Sequence, residues 1–281
     1  LPHVGQARMS AATPRPCACA AAQRVPSATP APDTCAVVVA GGLGLRFGDP
    51  RGKQFVELCG LPIVCWSLLA IDRSPSVGHI VVVCAPEREE VLLGEALSRV
   101  RLSHEVSVAP AGATRQESVL SGLGAVPRDY ALVAIHDAAR PLVTADALER
   151  CIARVRDDDA VSGAICATPS TDTLKLVEDK TIISTPDRSF YWCAQTPQVF
   201  GVKELAAAHT AALLDDYRGT DDASLVERCG GRVVCVNSPR DNIKVTVPED
   251  YVIAEALLER RLISEGCGPD ILGGREGASP C

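Results

Sequence analysis

Apolar residues fall in short continuous runs along this chain, and amphipathic stretches separate them. The runs at 35–40, 79–85, 105–109, 130–136, 160–167 and 232–236 have the length of strands and the Val, Ile and Ala content of buried ones. Such runs predict strands covered on both faces. The stretches at 62–72, 86–100, 114–125, 144–156, 202–214, 222–229 and 248–264 predict helices. Strands alternating with helices predict an α/β fold, a mostly parallel sheet with helices on both faces. In such folds ligands bind beyond the C-terminal ends of the strands. The polar segments 41–53, 137–140 and 168 onward all begin at such ends, so the three are expected to meet at one edge of the sheet.

One region departs from this rhythm. Between 168 and 193 polar and apolar residues alternate, through Thr173-Leu174-Lys175-Leu176-Val177 and Thr181-Ile182-Ile183-Ser184-Thr185, around Glu178-Asp179-Lys180. Alternation about a polar turn predicts a β-hairpin. An arm with so little core of its own must pack on something else, and a second subunit is the simplest candidate.

The first strand runs into Val39-Ala40-Gly41-Gly42-Leu43-Gly44-Leu45-Arg46-Phe47-Gly48, closed by Lys53-Gln54-Phe55. Glycines after a strand let main-chain N–H groups approach a phosphate, and Arg46 and Lys53 add two cations beside that turn. The plain alternative is a tight turn. The spacing matches neither the P-loop nor the dinucleotide fingerprint, which points to a different nucleotide-binding fold.

Composition narrows the partners. The chain has 281 residues, 47% of them apolar and 4% aromatic, so the core is aliphatic. The formal charge is −7 and the pI about 5.3. A bulk nucleic-acid binder needs a basic surface, so an anionic ligand must be held by a local basic pocket instead. The 13 cysteines are odd in number, several sit inside apolar runs, and none forms a C-x-x-C pair. They predict small core residues in a reducing cytoplasm, with neither a zinc site nor a disulfide framework. No apolar stretch reaches the length of a membrane span.

Residues 1–34 are rich in Ala, Pro, Ser and Thr, with Asp33 their one acid, and are expected to be a disordered tail. They lack the apolar core of a secretory signal. Their three arginines fit an organelle transit peptide, which would place the protein in a plastid. A reading frame extended upstream, with Met9 inside it, is the favoured reading. The domain is expected to span 35–265, with the arm at 168–193 and a flexible tail at 266–281.

Four further segments carry candidate chemistry. His136-Asp137-Ala138-Ala139-Arg140-Pro141 follows a buried strand. Asp137 there could orient a hydroxyl or a metal, or could pair with Arg140. His136 is read as structural. Thr114-Arg115-Gln116-Glu117-Ser118 opens a helix, where free N–H groups and Ser118 could meet a base edge or a phosphate, or merely cap the helix. Asp241-Asn242-Ile243-Lys244-Val245-Thr246 supplies Lys244, a third cation or a surface lysine. Asp157-Asp158-Asp159 is read as a solvated turn rather than a metal triad.

Taken in order, these pieces resemble the cytidylyltransferases of small polyol phosphates, most closely the 2-C-methyl-D-erythritol 4-phosphate cytidylyltransferase family. The matching pieces are Ala40-Gly41-Gly42 with Gly44 and Arg46, Lys53-Gln54, Arg115 with Ser118, and His136 to Pro141. They continue with Asp172-Thr173 and Lys175, Asp187-Arg188-Ser189, Ala194-Gln195-Thr196-Pro197-Gln198, Thr220-Asp221-Asp222-Ala223-Ser224 and Asp241 to Thr246. The resemblance covers about 35–262. Gly52 stands where the family usually has proline, and Phe47 where it often has methionine.

The resemblance implies a Rossmann-like nucleotidyltransferase fold, a homodimer with exchanged arms, and a divalent cation, usually Mg²⁺. It implies CTP and methylerythritol phosphate as substrates and pyrophosphate as the leaving group. Arg46, Lys53 and Lys244 would be the catalytic cations. Ala40, Gly41, Gly42, Gly44, Gly112, Ser118 and Ala138 would bind the nucleotide. Asp137, Arg140 and Thr220 would meet the polyol phosphate, with Thr173 and Arg188 arriving from the partner's arm. No residue is assigned as a metal ligand; the cation would come mainly with the CTP phosphates. The absence of an evident nucleophilic Ser or catalytic His fits, because the attacking group is already an oxyanion.

The nearest rival is a ribitol 5-phosphate cytidylyltransferase. Ala139, Lys175, the Asp187-Arg188 pair and Thr220 to Ser224 favour methylerythritol phosphate as acceptor. A catalytically silent nucleotide-binding protein would not need all of Arg46, Lys53 and Lys244. A metal-dependent glycosyltransferase would want an Asp-x-Asp that this strand end lacks.

Overall fold

The computed structural model describes residues 31–42, 44, 47–49 and 52–266. Residues 1–30 and 267–281 of the expected tails, and Arg46, lie outside them. The chain begins with β1 (Thr34–Val39), a small hairpin of β2 (Glu57–Leu58) and β3 (Leu61–Pro62), then α1 (Ile63–Asp72) and β4 (Val77–Cys84). A single turn α2 (Glu89–Val91) precedes β5 (Glu105–Pro110), α3 (Arg115–Gly124), β6 (Leu132–Asp137), α4 (Ala145–Arg156) and β7 (Gly163–Pro169). The arm holds β8 (Leu176–Glu178) and β9 (Thr181–Ser184). The chain returns through β10 (Trp192–Gly201), α5 (Val202–Leu214), α6 (Asp222–Arg228), β11 (Val233–Asn237) and α7 (Pro248–Ser264).

Among the described residues seven strands form one sheet in the order β11-β7-β10-β6-β1-β4-β5. β1 pairs in parallel with β4 and β6, β4 with β5, and β7 with β11. Alternate residues of the strands serve opposite faces. Ala36 and Val38 of β1 join a core with Leu68 of α1, Leu148 of α4 and Leu258 of α7. Cys35 and Val37 join the other core, with Val119 of α3, Leu205 of α5 and Val226 of α6. Hence the run is apolar throughout: both faces of β1 are covered. The helix starts follow from their caps. Thr114 and Thr144 accept from the N–H groups of Glu117 and Ala147, and Asp221 with Ser224 forms a capping box. Among the described residues no helix is long and apolar enough to cross a membrane.

Two elements differ from expectation. β10 is a full strand, antiparallel to β6 and β7 and lying between them. Its centre, Gln195-Thr196-Pro197-Gln198, has no apolar pattern because its polar side chains are buried and hydrogen-bonded instead of being replaced by hydrocarbon. Gln198 donates to Asp221 Oδ2 at 2.8 Å, and Thr196 Oγ1 accepts from the Asp137 N–H at 3.0 Å. The helix expected at 86–100 is broken into a 3-10 turn (Pro86–Arg88), α2, a π turn (Leu92–Ala96) and another 3-10 turn (Leu97–Arg99). Gly94 weakens helical continuity at its centre, while Leu92 and Ala96 still bury fully.

Candidate active site

The strand order reverses between β1 and β6. After β1 the chain builds outward through β4 to β5, then returns to place β6 on the other side of β1. A cavity of about 760 Å³ opens at the C-terminal ends of these strands. Ligands in open α/β sheets bind at this switch point.

The glycine turn forms one wall. Ala40 is pinned to the sheet by its N–H to Val83 O at 2.7 Å. The amide of Gln54, buried at 3% exposure, donates to Ala40 O at 2.6 Å and to Gly42 O at 3.2 Å. Gly41 must be glycine for contact reasons, since a Cβ there would lie 2.3 Å from Ala111 Cβ, just past the end of β5. Arg88 Nη1 donates to Gly42 O at 3.3 Å from the far rim. Lys53 starts a short 3-10 turn (Lys53–Phe55) and lines the cavity.

The start of α3 forms the adjoining wall. Ser118 Oγ accepts from the Gly112 N–H at 3.1 Å and donates to Thr114 O at 2.8 Å. The Ser118 hydroxyl thus shapes the turn at 111–114, whose main chain faces the cavity.

Asp137 closes the floor at 7% exposure. Arg115 Nε reaches its Oδ1 at 3.2 Å, and Lys244 Nζ reaches its Oδ2 at 2.7 Å. Burial alone would raise this carboxyl, but Arg115, Lys244 and Arg140 hold it well below the usual carboxylate range. It stays ionised and keeps Lys244 in place. His136 beside it is fully buried. Burial pulls the ring down to about 4, and its Nδ1 lies 3.1 Å from Thr196 Oγ1. It is a neutral structural histidine.

A sequence model of the family described as IspD, 2-C-methyl-D-erythritol 4-phosphate cytidylyltransferase, matches residues 34–260. The chain belongs to this family. Among relatives, the 2-C-methyl-D-erythritol 4-phosphate cytidylyltransferase of Geobacter metallireducens is 43% identical over 235 residues, 81% of this chain and 98% of that protein. That of Caldanaerobacter subterraneus is 37% identical over 226 residues, 80% of this chain and 98% of that protein. Among solved structures, 4-diphosphocytidyl-2C-methyl-D-erythritol synthase from Anaerococcus prevotii superposes with a TM-score of 0.71 at 28% identity. It covers 81% of this chain and 98% of its own. The Thermus thermophilus 2-C-methyl-D-erythritol 4-phosphate cytidylyltransferase gives 0.62 at 28% identity, covering 79% of this chain and 98% of its own.

The residues expected from the family's motifs fall into three groups. Ala40, Gly41, Gly42, Gly44, Lys53, Gly112, Ser118, Asp137, Ala138 and Lys244 line the one cavity. Arg140 and Thr220 do not. Arg140 Nη1 donates to Asn242 O at 2.8 Å and so braces the segment that carries Lys244. Thr220 lines a small recess next door, which shares Arg115 with the cavity. Thr173 and Arg188 lie on the arm and touch no part of this chain's own cavity; Arg188 Nη1 donates to Thr171 O at 2.6 Å. Arg46 lies outside the described residues.

The edge expected to gather three segments gathers two of them. β10 inserts between β6 and β7, so the segment from Thr168 ends on the same side of the sheet but outside the cavity. Where the family usually has proline, Gly52 takes φ +93°. Proline is fixed near −65°, so this loop reaches Lys53 by a path proline cannot follow. The sequence marks Gln54 only as part of the Lys53-Gln54 motif, with nothing to show that its buried amide holds the glycine turn, and the buried His209 lies in a plain helical stretch that carries no signal.

Proposed function

We propose that this chain transfers a cytidylyl group from CTP to 2-C-methyl-D-erythritol 4-phosphate, forming 4-diphosphocytidyl-2-C-methyl-D-erythritol and pyrophosphate. One observation carries the reading: the glycine turn, Lys53 and Lys244 all open into a single cavity at the switch point of a cytidylyltransferase fold. An oxygen of the acceptor phosphate attacks the α-phosphorus of CTP. The new P–O bond forms, the bond from the α-phosphorus to the bridging oxygen breaks, and pyrophosphate leaves with that electron pair. The attacking oxygen is already an anion, so no strong base is needed. What the chain must do is bring two polyanions together and stabilise the crowded phosphoryl centre.

Lys53 and Arg46 take the α-phosphate and the departing pyrophosphate. Lys244, held by Asp137, assists at the same centre. The backbone of Ala40 to Gly42 and Gly44, with Gly112 and Ser118, holds the nucleotide, and Ala138 lies by the ribose. The polyol phosphate meets Asp137 and Lys244 in the cavity and Thr220 at the recess beside it, while Arg140, bonded to Asn242 O, supports it through the segment that carries Lys244.

A divalent cation such as Mg²⁺ fits this cavity only as a companion of the CTP phosphates. The acids lining the cavity among the described residues are Asp137 and Glu87, too few for an all-protein cage, and Asp137 already spends both oxygens on cations. Bound through the phosphates, the cation would neutralise their charge.

The arm supports a homodimer. Leu176, Val177, Ile182, Ile183 and Phe190 are all more than half exposed, a patch that marks an interaction surface. A partner's arm would deliver Thr173 and Arg188 to the acceptor side of the cavity.

Pyrophosphate release from CTP and Mg²⁺, with methylerythritol 4-phosphate and ribitol 5-phosphate offered in parallel, tests the assignment. Release with the first alone is expected. Release with ribitol 5-phosphate alone would keep the chemistry and change the acceptor, and silence with both would overturn the reading.

A further inference from the structure

Behind the cavity a line of paired side chains runs to Asp137 and Lys244 from two buried groups, His209 and Asp222, that the phosphate chemistry does not use. His209 of α5 and Asp222, the first residue of α6, are each 1% exposed. His209 Nε2 lies 3.0 Å from Asp222 Oδ1; a carboxylate only accepts, so Nε2 carries the hydrogen. Asp222 Oδ2 takes a bond from Arg115 Nη1 at 2.8 Å. Arg115 Nε then reaches Asp137 Oδ1 at 3.2 Å, and Asp137 Oδ2 holds Lys244 Nζ at 2.7 Å. Both carboxylates divide their oxygens between two partners, and one guanidinium bridges them. The planar fork of arginine can do this; a lysine ammonium, a single point, cannot match both directions.

The same helix ties the neighbouring recess to this line. Gln116 Nε2 donates to Tyr217 O and its Oε1 accepts from the Gly219 N–H, each at 3.1 Å. α3 therefore carries Ser118 toward the nucleotide wall, and Arg115 with Gln116 toward Lys244 and Thr220. A buried carboxylate costs stability unless fully paired. Asp222 is paired on both oxygens, and one of those pairs leads straight to the cavity floor.

We propose that His209 and Asp222 are positioning residues for the acceptor half of the cavity. Acting through Arg115, they fix the Asp137 carboxylate so that its second oxygen sets the Lys244 ammonium for the incoming phosphate. The proposal rests on the cytidylyl-transfer reading. Without the Asp222 charge, Arg115 turns both arms of its fork to Asp137 and draws that carboxylate away from Lys244. The nucleotide wall, built from Gln54, Gly41 and Ser118, is not in this line and is left as it was.

The test is steady-state kinetics on the full chain, varying CTP and methylerythritol phosphate separately, with thermal midpoints recorded for each variant. Asp222→Asn and Arg115→Lys are expected to raise KM for the polyol phosphate about 10- to 100-fold, the scale of a lost charge-assisted bond, and to leave KM for CTP in place. His209→Phe should follow in the same direction. His209→Gln, whose amide can still donate to Asp222, should recover most of the loss. If Asp222→Asn does not fold, the contrast of His209→Phe with His209→Gln decides. An active wild type whose variants show unchanged KM values would overturn the positioning role. So would two KM values rising together with a lowered midpoint that His209→Gln does not restore. A wild type silent with both substrates would overturn the transfer reading and this proposal with it.

Discussion

Asp137 and Phe190 stand for two ways of building a site. Asp137, at 7% exposure, is held by Arg115 and Lys244 through its oxygens and by Thr196 through its N–H. Phe190, on the arm, is 83% exposed. The arm's polar contacts are local: Lys175 Nζ with Thr185 Oγ1 at 2.8 Å, and Arg188 with Thr171 O. The floor of the cavity is set within one chain, because Asp137 ends a strand, Arg115 starts a helix, and the two pair with each other and with Lys244. The arm is a two-stranded hairpin with its apolar side chains facing out, and such a hairpin is marginal by itself. Preorganised charge belongs to the first region, and the completion by a partner proposed above belongs to the second.

Lys53→Ala carries the largest expected effect. Turnover should fall by about 10³-fold or more, because a cation aimed at developing charge is removed from a site built to hold it. CTP affinity should weaken far less, since the glycine turn and the α3 wall remain; titration of CTP alongside turnover checks both. Retained turnover would take Lys53 out of the chemistry.

Arg188→Ala probes the arm. The expected result is a rise of about tenfold or more in KM for the polyol phosphate with KM for CTP unchanged, as for a lost charge-assisted contact to phosphate. An unchanged KM for the acceptor would leave the arm a purely adhesive element.

The smallest effect concerns stability. His136 titrates near 6.5 when unfolded and is pulled to about 4 when folded. The folded protein therefore binds the proton less readily. The stability of the neutral ring is complete above about pH 6.5 and is lost progressively as pH falls toward about 4. Denaturant unfolding at a series of pH values should show this decline, and His136→Asn should flatten it. Residues 168–193 carry no histidine, so the arm holds no counterpart of this buried ring. A slope unchanged by the substitution would show that the buried floor does not govern acid stability.

The two regions were also unequally legible in the sequence. The parallel strands and their helices could be read because both faces of β1, β4 and β6 are covered and the pattern is continuous. The cavity's glycines and Lys53 could be read because they follow such a strand. β10 could not, because burial there is satisfied by hydrogen bonds from Gln195, Thr196 and Gln198 rather than by apolar side chains. His209 and Asp222 meet only through the packing of α5 on α6, and no spacing along the chain encodes that contact. The hairpin of the arm was plain from its alternation, whereas its target is not a property of one chain.

In the proposed dimer the cavity of one chain and the arm of the other make one site. Co-expressing Lys53→Ala and Arg188→Ala chains under two tags, and purifying the mixed dimer, tests it most directly. Each mixed dimer would hold one cavity with Lys53 served by an arm with Arg188, so at low acceptor concentration it should recover about half of wild-type activity. A mixed dimer no more active than its two parents would contradict the shared site and return Arg188 to its own chain.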